Sequence, residues 1–164
     1  MIQKLTVSAV FFGAIILAGC NSDKGTGSGG AIDPANIIGN WINSAMTIEP
    51  GVDFGTGTLI TDLWTAGFVD DCMKDDVTTF AGSGNSGTYT RTDGAISCPN
   101  PDTDAGTWTF AGNVLIQTST GSTTADTTII ASLTATTAVV QEMISAADAP
   151  DNIAHTITIT AHKQ

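Results

Sequence analysis

Positively charged side chains are the scarcest feature of this chain. Its 164 residues include 5 Lys and Arg and 2 His against 16 Asp and Glu, which gives a formal net charge of −11 at pH 7. A surface of this sign repels the phosphates of nucleic acids and of anionic membrane faces, and it promotes solubility. The composition therefore argues against nucleic acid as a partner, and it favours a solvated acidic exterior over an acidic binding patch.

Long apolar runs are also missing. The longest, Val7–Ala18, is shorter than the roughly 20 residues that a helix needs to cross a bilayer. It follows Lys4 and ends in small residues, which is typical of a secretory signal peptide. Residues 1–19 are therefore predicted to be a signal peptide. After its removal the chain keeps 4 basic and 16 acidic residues, a net charge of −12.

The end of this run, Leu17-Ala18-Gly19-Cys20, resembles the lipobox of bacterial lipoproteins. The resemblance implies that Cys20 becomes the N-terminus and carries acyl chains such as palmitate, which anchor the protein to a membrane. Residues 20–35 would then be a lipidated cysteine followed by a Gly- and Ser-rich tether. We expect a cell-envelope protein, anchored to the outer membrane, with its domain in the periplasm or at the cell surface. The alternative is an ordinary cleaved signal with an incidental cysteine.

Cysteine is rare, with three in the chain. If Cys20 carries lipid, Cys72 and Cys98 remain, and the oxidising compartment of an exported protein allows them to form a disulfide. That bond would close a loop of 27 residues, counted inclusively. A reactive or metal-binding cysteine pair is the alternative.

Helical periodicity is almost absent from the rest of the chain, and short alternating runs replace it. Two such runs flank the glycine-rich segment 82–87 and predict a β-hairpin between the two cysteines. The first strand is predicted from about Ile38 to Glu49, with Pro50 ending it, and segment 52–69 fits a strand or a short helix. About eight short strands predict an all-β fold, an antiparallel up-and-down β-barrel over residues 36–164.

Several motifs together resemble the lipocalin-like domain of bacterial lipoproteins. They are Gly39-Asn40-Trp41, the segment Asp71–Phe80, Gly87-Thr88-Tyr89, Cys98, the segment Gly106–Phe110 and Gly112-Asn113. The resemblance implies an eight-stranded barrel that is open at one end to a small apolar ligand. It also implies that Trp41 lies at the closed end, often under a basic residue from the last strand. The chain lacks the Thr-Asp-Tyr motif of other lipocalins, and Lys163 is the only basic residue near the C-terminus that could cover Trp41.

The barrel interior is the candidate binding site. Alternation puts Tyr89 on the same face as Arg91, and Trp108 on the same face as Phe110. The predicted ligand-binding residues are Trp41, Phe80, Tyr89, Arg91, Trp108, Phe110, Leu115, Ile157 and Ile159. The same side chains could instead fill the barrel completely, because eight strands enclose a space just wide enough for them.

The other chemical motifs favour structural interpretations. Four carboxylates lack the spacing of a calcium loop and are interpreted as a charged turn, so no metal site is predicted. They are Asp70, Asp71, Asp75 and Asp76. Gly82-x-Gly84-x-x-Gly87 matches a dinucleotide fingerprint but lies in a predicted hairpin loop, so no cofactor is predicted. His155 and His162 fall on opposite faces of the predicted last strand and cannot share one metal.

The sequence therefore predicts a membrane-anchored lipoprotein whose barrel binds a small apolar ligand and is not an enzyme. The alternative is a structural or interaction module of the envelope, with a solid barrel core, no ligand and acidic loops that contact an unknown protein partner. An enzyme would need a carboxylate or a histidine inside the barrel, and His155 beside Ile157 is the one hint of this.

Overall fold

The computed structural model describes residues 32–99 and 103–164 of the chain. Two short 3-10 helices lie in this part of the chain, at Pro34–Ile37 and Asp71–Met73. Its strands are β1 (Gly39–Val52), β2 (Ile60–Asp62), β3 (Val77–Ser83), β4 (Ser86–Thr92), β5 (Asp104–Ala111), β6 (Val114–Ser119), β7 (Asp126–Leu133), β8 (Thr137–Ile144) and β9 (His155–Lys163).

The predicted signal peptide, the predicted lipidation site Cys20 and most of the predicted tether fall in residues 1–31, outside the described residues. Within the described ranges, no helix has the length and apolar character needed to cross a membrane.

Eight of the strands form a closed antiparallel barrel. Consecutive strands pair from β3 through β9, and β1 pairs with both β3 and β9. The pairing of β1 with β9 runs from Trp41 opposite Lys163 to Glu49 opposite Thr156. This closure removes the free sheet edges that would otherwise expose unpaired backbone groups. The predicted all-β, up-and-down barrel is confirmed.

Strand β1 is longer than the sequence predicted. The prediction that Pro50 ends the strand was wrong, because β1 continues through Pro50 to Val52, which lies opposite Ile60 in β2. Proline disrupts a sheet where its missing N–H is needed. Here the pairing with β9 ends at Glu49 and the pairing with β2 is irregular before Val52, so Pro50 lies where the ladder is already interrupted. The short strand β2 lies outside the ring, and residues 63–67 form a turn, not a helix.

Aromatic side chains fill the half of the barrel nearest the start of β1. Trp108 is 1% exposed and meets Phe80 and Phe110 edge-on, with ring centroids 6.1 Å apart in both pairs. We call this buried cluster the closed-end core. Its members are Ile37, Trp41, Phe80, Tyr89, Trp108, Phe110, Leu115, Ile130, Leu133, Ala138 and Ala161. These buried side chains occupy the interior of this half of the barrel.

The first 3-10 helix and the end of β9 cover the closed-end core. The indole N–H of Trp41 donates a hydrogen bond of 2.6 Å to the carbonyl of Ile37. The Lys163 ammonium donates to the carbonyl of Asn36 at 2.8 Å and lies 4.9 Å from the centroid of the Trp41 ring, within cation–π range. Lys163 therefore covers Trp41, as the resemblance implied for a basic residue of the last strand.

Cys72 and Cys98 form the predicted disulfide, with their Cα atoms 5.2 Å apart. The bond joins the second 3-10 helix to the segment that follows β4. Both segments lie at the end of the barrel opposite the closed-end core, because β3 begins there and β4 ends there.

Candidate functional site

The end of the barrel opposite the closed-end core contains an open cavity of about 940 Å³. Its wall is formed by the last residues of β4, β6 and β8 and the first residues of β5 and β7. A cavity of this volume lies at the upper end of the range found for small-molecule sites, which bury most of a ligand's surface. We refer to it as the open cavity.

The wall of the open cavity is split between β7 and β8. Pairing of these strands begins at Ile129 opposite Gln141 and runs toward the closed end. Residues 126–128 therefore pair with β6 alone, and residues 142–144 pair with β9 alone. Side chains from both faces of the two strands, including Ile129 and Met143, line the cavity at this gap.

Asp104, the first residue of β5, is fixed in the cavity wall by hydrogen bonds. The Tyr89 hydroxyl donates to its Oδ2 at 2.6 Å, and the Ser119 hydroxyl donates to the same oxygen at 2.8 Å. Burial opposes ionisation, but these two bonds, the Ala105 N–H and the charge of Arg91 together lower the pKa of Asp104 below its ordinary value. Asp104 is therefore a fixed anion in the cavity wall.

Two more carboxylates face the open cavity from neighbouring strands. Burial raises the pKa of Asp126 on β7, and the charge of Asp104 raises it further. Burial also raises the pKa of Glu142 on β8, while Arg91 lowers this pKa and Asp126 raises it. Such mutual effects require the groups to lie within range of one another's charge. Among the described residues, the cavity wall therefore combines four carboxylates, these three and Asp148, with one guanidinium group.

The structure separates the nine predicted ligand-binding residues into different environments. Tyr89 and Arg91 line the open cavity. Ile157 packs against a second apolar cluster around Ile48, Val52 and Leu63, and Ile159 is partly buried on β9. Tyr89 also belongs to the closed-end core, together with Trp41, Phe80, Trp108, Phe110 and Leu115. One half of the barrel thus holds the closed-end core, and the other half holds the open cavity beside the second apolar cluster.

The sequence analysis missed the cavity carboxylates Asp104, Asp126 and Glu142, because acidic residues were assigned to the exterior. The signal that could have identified them is the alternation of side chains between the two faces of each strand. Asp104 is four positions before Trp108, Asp126 is four before the buried Ile130, and Glu142 is two after Val140. Each carboxylate therefore shares the inward face of its strand with an apolar core residue.

The acidic turn before β3 is held by contacts within the protein. Asp75 Oδ2 accepts a hydrogen bond of 2.9 Å from the Ile96 N–H. One oxygen each of Asp75, Asp76 and Asp93 is buried without a hydrogen-bond partner. Burial and the charges of Asp93 and Asp75 raise the pKa of Asp76, although a backbone N–H lowers it. Across residues 32–99 and 103–164, no three or more His, Cys, Asp or Glu side chains are grouped so that they could hold a metal ion.

His155, the one hint of catalysis in the sequence, connects two parts of the fold. Its side chain is buried, with Nδ1 2.7 Å from the carbonyl oxygen of Pro50 and Nε2 2.9 Å from Oδ1 of Asp151. The ring therefore joins the segment between β8 and β9 to strand β1, and both of its nitrogens are used by these contacts. His162 is exposed on the opposite face of β9.

The His155–Asp151 contact is expected to make stability depend on pH. The Asp151 carboxylate and the Pro50 carbonyl raise the pKa of His155, against burial, and the same contact lowers the pKa of Asp151. The contribution of His155 to the free energy of unfolding is therefore complete below its pKa in the unfolded chain, about 6.5. It is lost as pH rises through the higher pKa of the folded protein. The aspartate contribution is present above about pH 4 and is lost as pH falls through the lowered folded pKa.

Urea unfolding of the wild type and of Asp151→Asn from pH 4 to pH 9 measures this effect. The difference in free energy of unfolding should be largest at about pH 5–6 and should shrink toward pH 9. A difference that stays constant over this range would contradict the assignment. Asp148→Asn, in the same connecting segment, is the matched control and should not change the pH profile in this way.

A family model described as a lipocalin-like domain matches residues 37–140 of the chain. No curated protein matches the chain. The matched range extends from the first 3-10 helix into β8 and includes Trp41, the Cys72–Cys98 disulfide and four of the five strands that form the cavity wall. It covers well over half of the 164 residues, and the closed eight-stranded barrel agrees with it. The chain therefore belongs to the lipocalin-like domain family.

Proposed function

We propose that this chain is an exported lipoprotein of the bacterial cell envelope, anchored to the outer membrane, whose barrel binds a small, partly apolar molecule without catalysing a reaction. The observation that carries the binding role is the open cavity of about 940 Å³. A space of this size takes a small molecule and removes most of its surface from water. The packed closed-end core provides the rigid wall that such binding needs.

The lipobox-like sequence supports anchoring through Cys20. Ile32, the first described residue, packs against the closed-end core. The proposed anchor therefore joins the barrel at the end opposite the open cavity. In this arrangement the cavity mouth stays accessible to solutes when the protein is bound to a membrane.

Two observations support binding without catalysis. Lipocalin-like proteins are generally not enzymes. In addition, both ring nitrogens of His155 are occupied by Pro50 and Asp151, so this histidine is held in the fold and does not face a ligand as an acid or a base.

Mass spectrometry of the full chain, purified from the membranes of its own host, tests both parts of the proposal. Under denaturing conditions, the mass should equal that of the chain from Cys20 onward plus covalent acyl groups. Under native conditions, a further small-molecule adduct should appear that denaturation releases. Thr128→Phe is expected to lower the occupied fraction at least fivefold, because Thr128 lines the cavity and a phenyl ring there would take space that the ligand occupies.

Thr107→Phe is the matched control, because Thr107 is exposed on β5 and does not line the cavity. It should keep the adduct. If the wild type carries no adduct, or if Thr128→Phe retains it fully, the binding role fails and the interaction-module alternative gains support. A polypeptide that starts elsewhere than Cys20, or that carries no acyl group, would reject the anchor and leave the binding role intact.

A further inference from the structure

The side of the open cavity at the gap between β7 and β8 carries apolar side chains, on the same strands as Asp126 and Glu142. Ile129 and Met143 line it there and are 40% and 73% exposed, unusually large values for apolar side chains of this size. Ile144 also lines the cavity and packs against the second apolar cluster around Ile48. The apolar part of a ligand lying along this side would remove exposed hydrocarbon from water.

The wall of the open cavity also carries an excess of negative charge. Asp104, Asp126, Glu142 and Asp148 lie in this wall, and Arg91 is the one cation among the described residues that line the cavity. Arg91 acts on Asp104 and Glu142, so a single positive charge is shared between them. Asp104, Asp126, Glu142 and Arg91 together carry two negative charges when these three carboxylates are ionised, and Asp148 is a fourth carboxylate in the wall.

We propose that the open cavity takes a small molecule carrying a protonated amine and an apolar portion, with the amine beside Asp104, Asp126 and Glu142 and the apolar portion against Ile129, Met143 and Ile144. This inference rests on the proposed binding function and narrows its ligand class.

The charges in the cavity discriminate between ligand classes. An anionic ligand, such as a fatty acid, would add a further negative charge beside the cavity carboxylates, which like-charge repulsion opposes. A neutral ligand would leave the excess charge uncompensated. A protonated amine instead forms charge-assisted hydrogen bonds with the carboxylates. It also offsets the effects of burial and mutual repulsion that raise the pKa of Asp126 and Glu142.

Three fluorescent probes that differ in charge at one end test the inference. Dansylcadaverine carries a primary amine, its N-acetyl derivative is neutral, and dansyl-6-aminohexanoic acid is anionic. Fluorescence titration at pH 7 and 0.15 M salt screens the general attraction of the acidic protein for cations. We expect dansylcadaverine to bind at least tenfold more tightly than the acetylated probe, and the anionic probe to bind most weakly.

Variants of the cavity carboxylates localise the preference. Glu142→Gln and, independently, Asp126→Asn should each weaken dansylcadaverine binding at least threefold and leave the affinity for the acetylated probe within twofold. Glu49→Gln is the matched control, because it removes the same charge from an exposed position outside the cavity. It should leave both affinities within twofold. The near-ultraviolet circular dichroism spectrum of each variant verifies its fold.

Two outcomes would overturn the inference. The first is that the cationic and acetylated probes bind with equal affinity and that Thr128→Phe abolishes the binding of both. This outcome would support a binding cavity but reject the preference for an amine. The second is a preference for dansylcadaverine that Glu49→Gln reduces as much as Glu142→Gln does, which indicates general surface attraction. If no probe binds while the native adduct persists, the amine assignment fails and the proposed function stands. If no probe binds and no native adduct is found, both the amine assignment and the proposed binding function fail.

Discussion

Replacing Trp108 with alanine is expected to reduce the free energy of unfolding by about 3–5 kcal/mol, the range for deleting a large buried aromatic side chain. The ring is 1% exposed, and its N–H donates to the carbonyls of Ala81 at 3.2 Å and Thr88 at 3.0 Å. Truncation therefore leaves a cavity in the closed-end core and removes a donor from two carbonyls. For a domain of this size, the melting temperature should fall by roughly 10 °C or more.

Two further variants separate burial from the effect of losing any tryptophan. Trp108→Phe keeps most of the ring and loses the hydrogen bonds, so it should cost roughly 1–3 kcal/mol. Trp64→Ala removes a partly exposed ring in the segment after β2, where the Lys74 ammonium lies 5.7 Å from the ring centroid, and should cost about 1 kcal/mol or less. If Trp64→Ala destabilises the protein as much as Trp108→Ala does, the closed-end core is not the centre of its stability.

The double variant Cys72→Ser, Cys98→Ser is expected to lose about 3–4 kcal/mol. The disulfide spans 26 residues of sequence and restricts the unfolded chain, an effect that the chain-entropy relation puts at this size. The loss should appear in urea unfolding as a lower midpoint. Because the bond lies at the open end, the near-ultraviolet signals of Trp41 and Trp108 should remain native before unfolding.

Reduction of the wild type provides the internal control for this prediction. A reductant should lower the midpoint of the wild type to that of the double variant, and it should leave the variant unchanged. A difference below about 1 kcal/mol between the oxidised wild type and the variant would contradict the chain-entropy account. A change in the slope of the urea dependence would show that the bond also alters the compactness of the unfolded chain.

The architecture could be predicted from local patterns because each hairpin follows from nearby residues. Trp108 and Phe110 alternate with threonines, and segment 77–80 pairs with segment 89–92 in the predicted hairpin. The turn of this hairpin is tighter than the predicted loop of residues 82–87, because Gly82 and Ser83 pair with Gly87 and Ser86. The disulfide followed from the small number of cysteines. The predicted end of β1 was wrong because proline lacks a backbone N–H, and its effect depends on whether a neighbouring strand needs an N–H at position 50. That need is a property of the assembled sheet.

The candidate site was harder to predict than the fold. Apolarity identified the inward faces correctly, but it also led to the prediction of ligand contacts at Trp108 and Phe110, which fill the closed-end core. Whether an inward residue is packed or lines a cavity depends on its height along the barrel, and this requires the register between strands. With that register, Asp104 and Asp126 fall at the open end on the inward face.

The division of the barrel into a packed aromatic half and a binding half can be measured directly by two-dimensional ¹H–¹⁵N NMR during a titration with dansylcadaverine. The account predicts shift changes at Arg91, Asp104, Ser119 and Asp126, and unchanged indole N–H signals of Trp41 and Trp108, whose hydrogen bonds lie in the closed-end core. Movement of these two indole signals with an unaffected open end, or a spectrum that does not change at all, would contradict it.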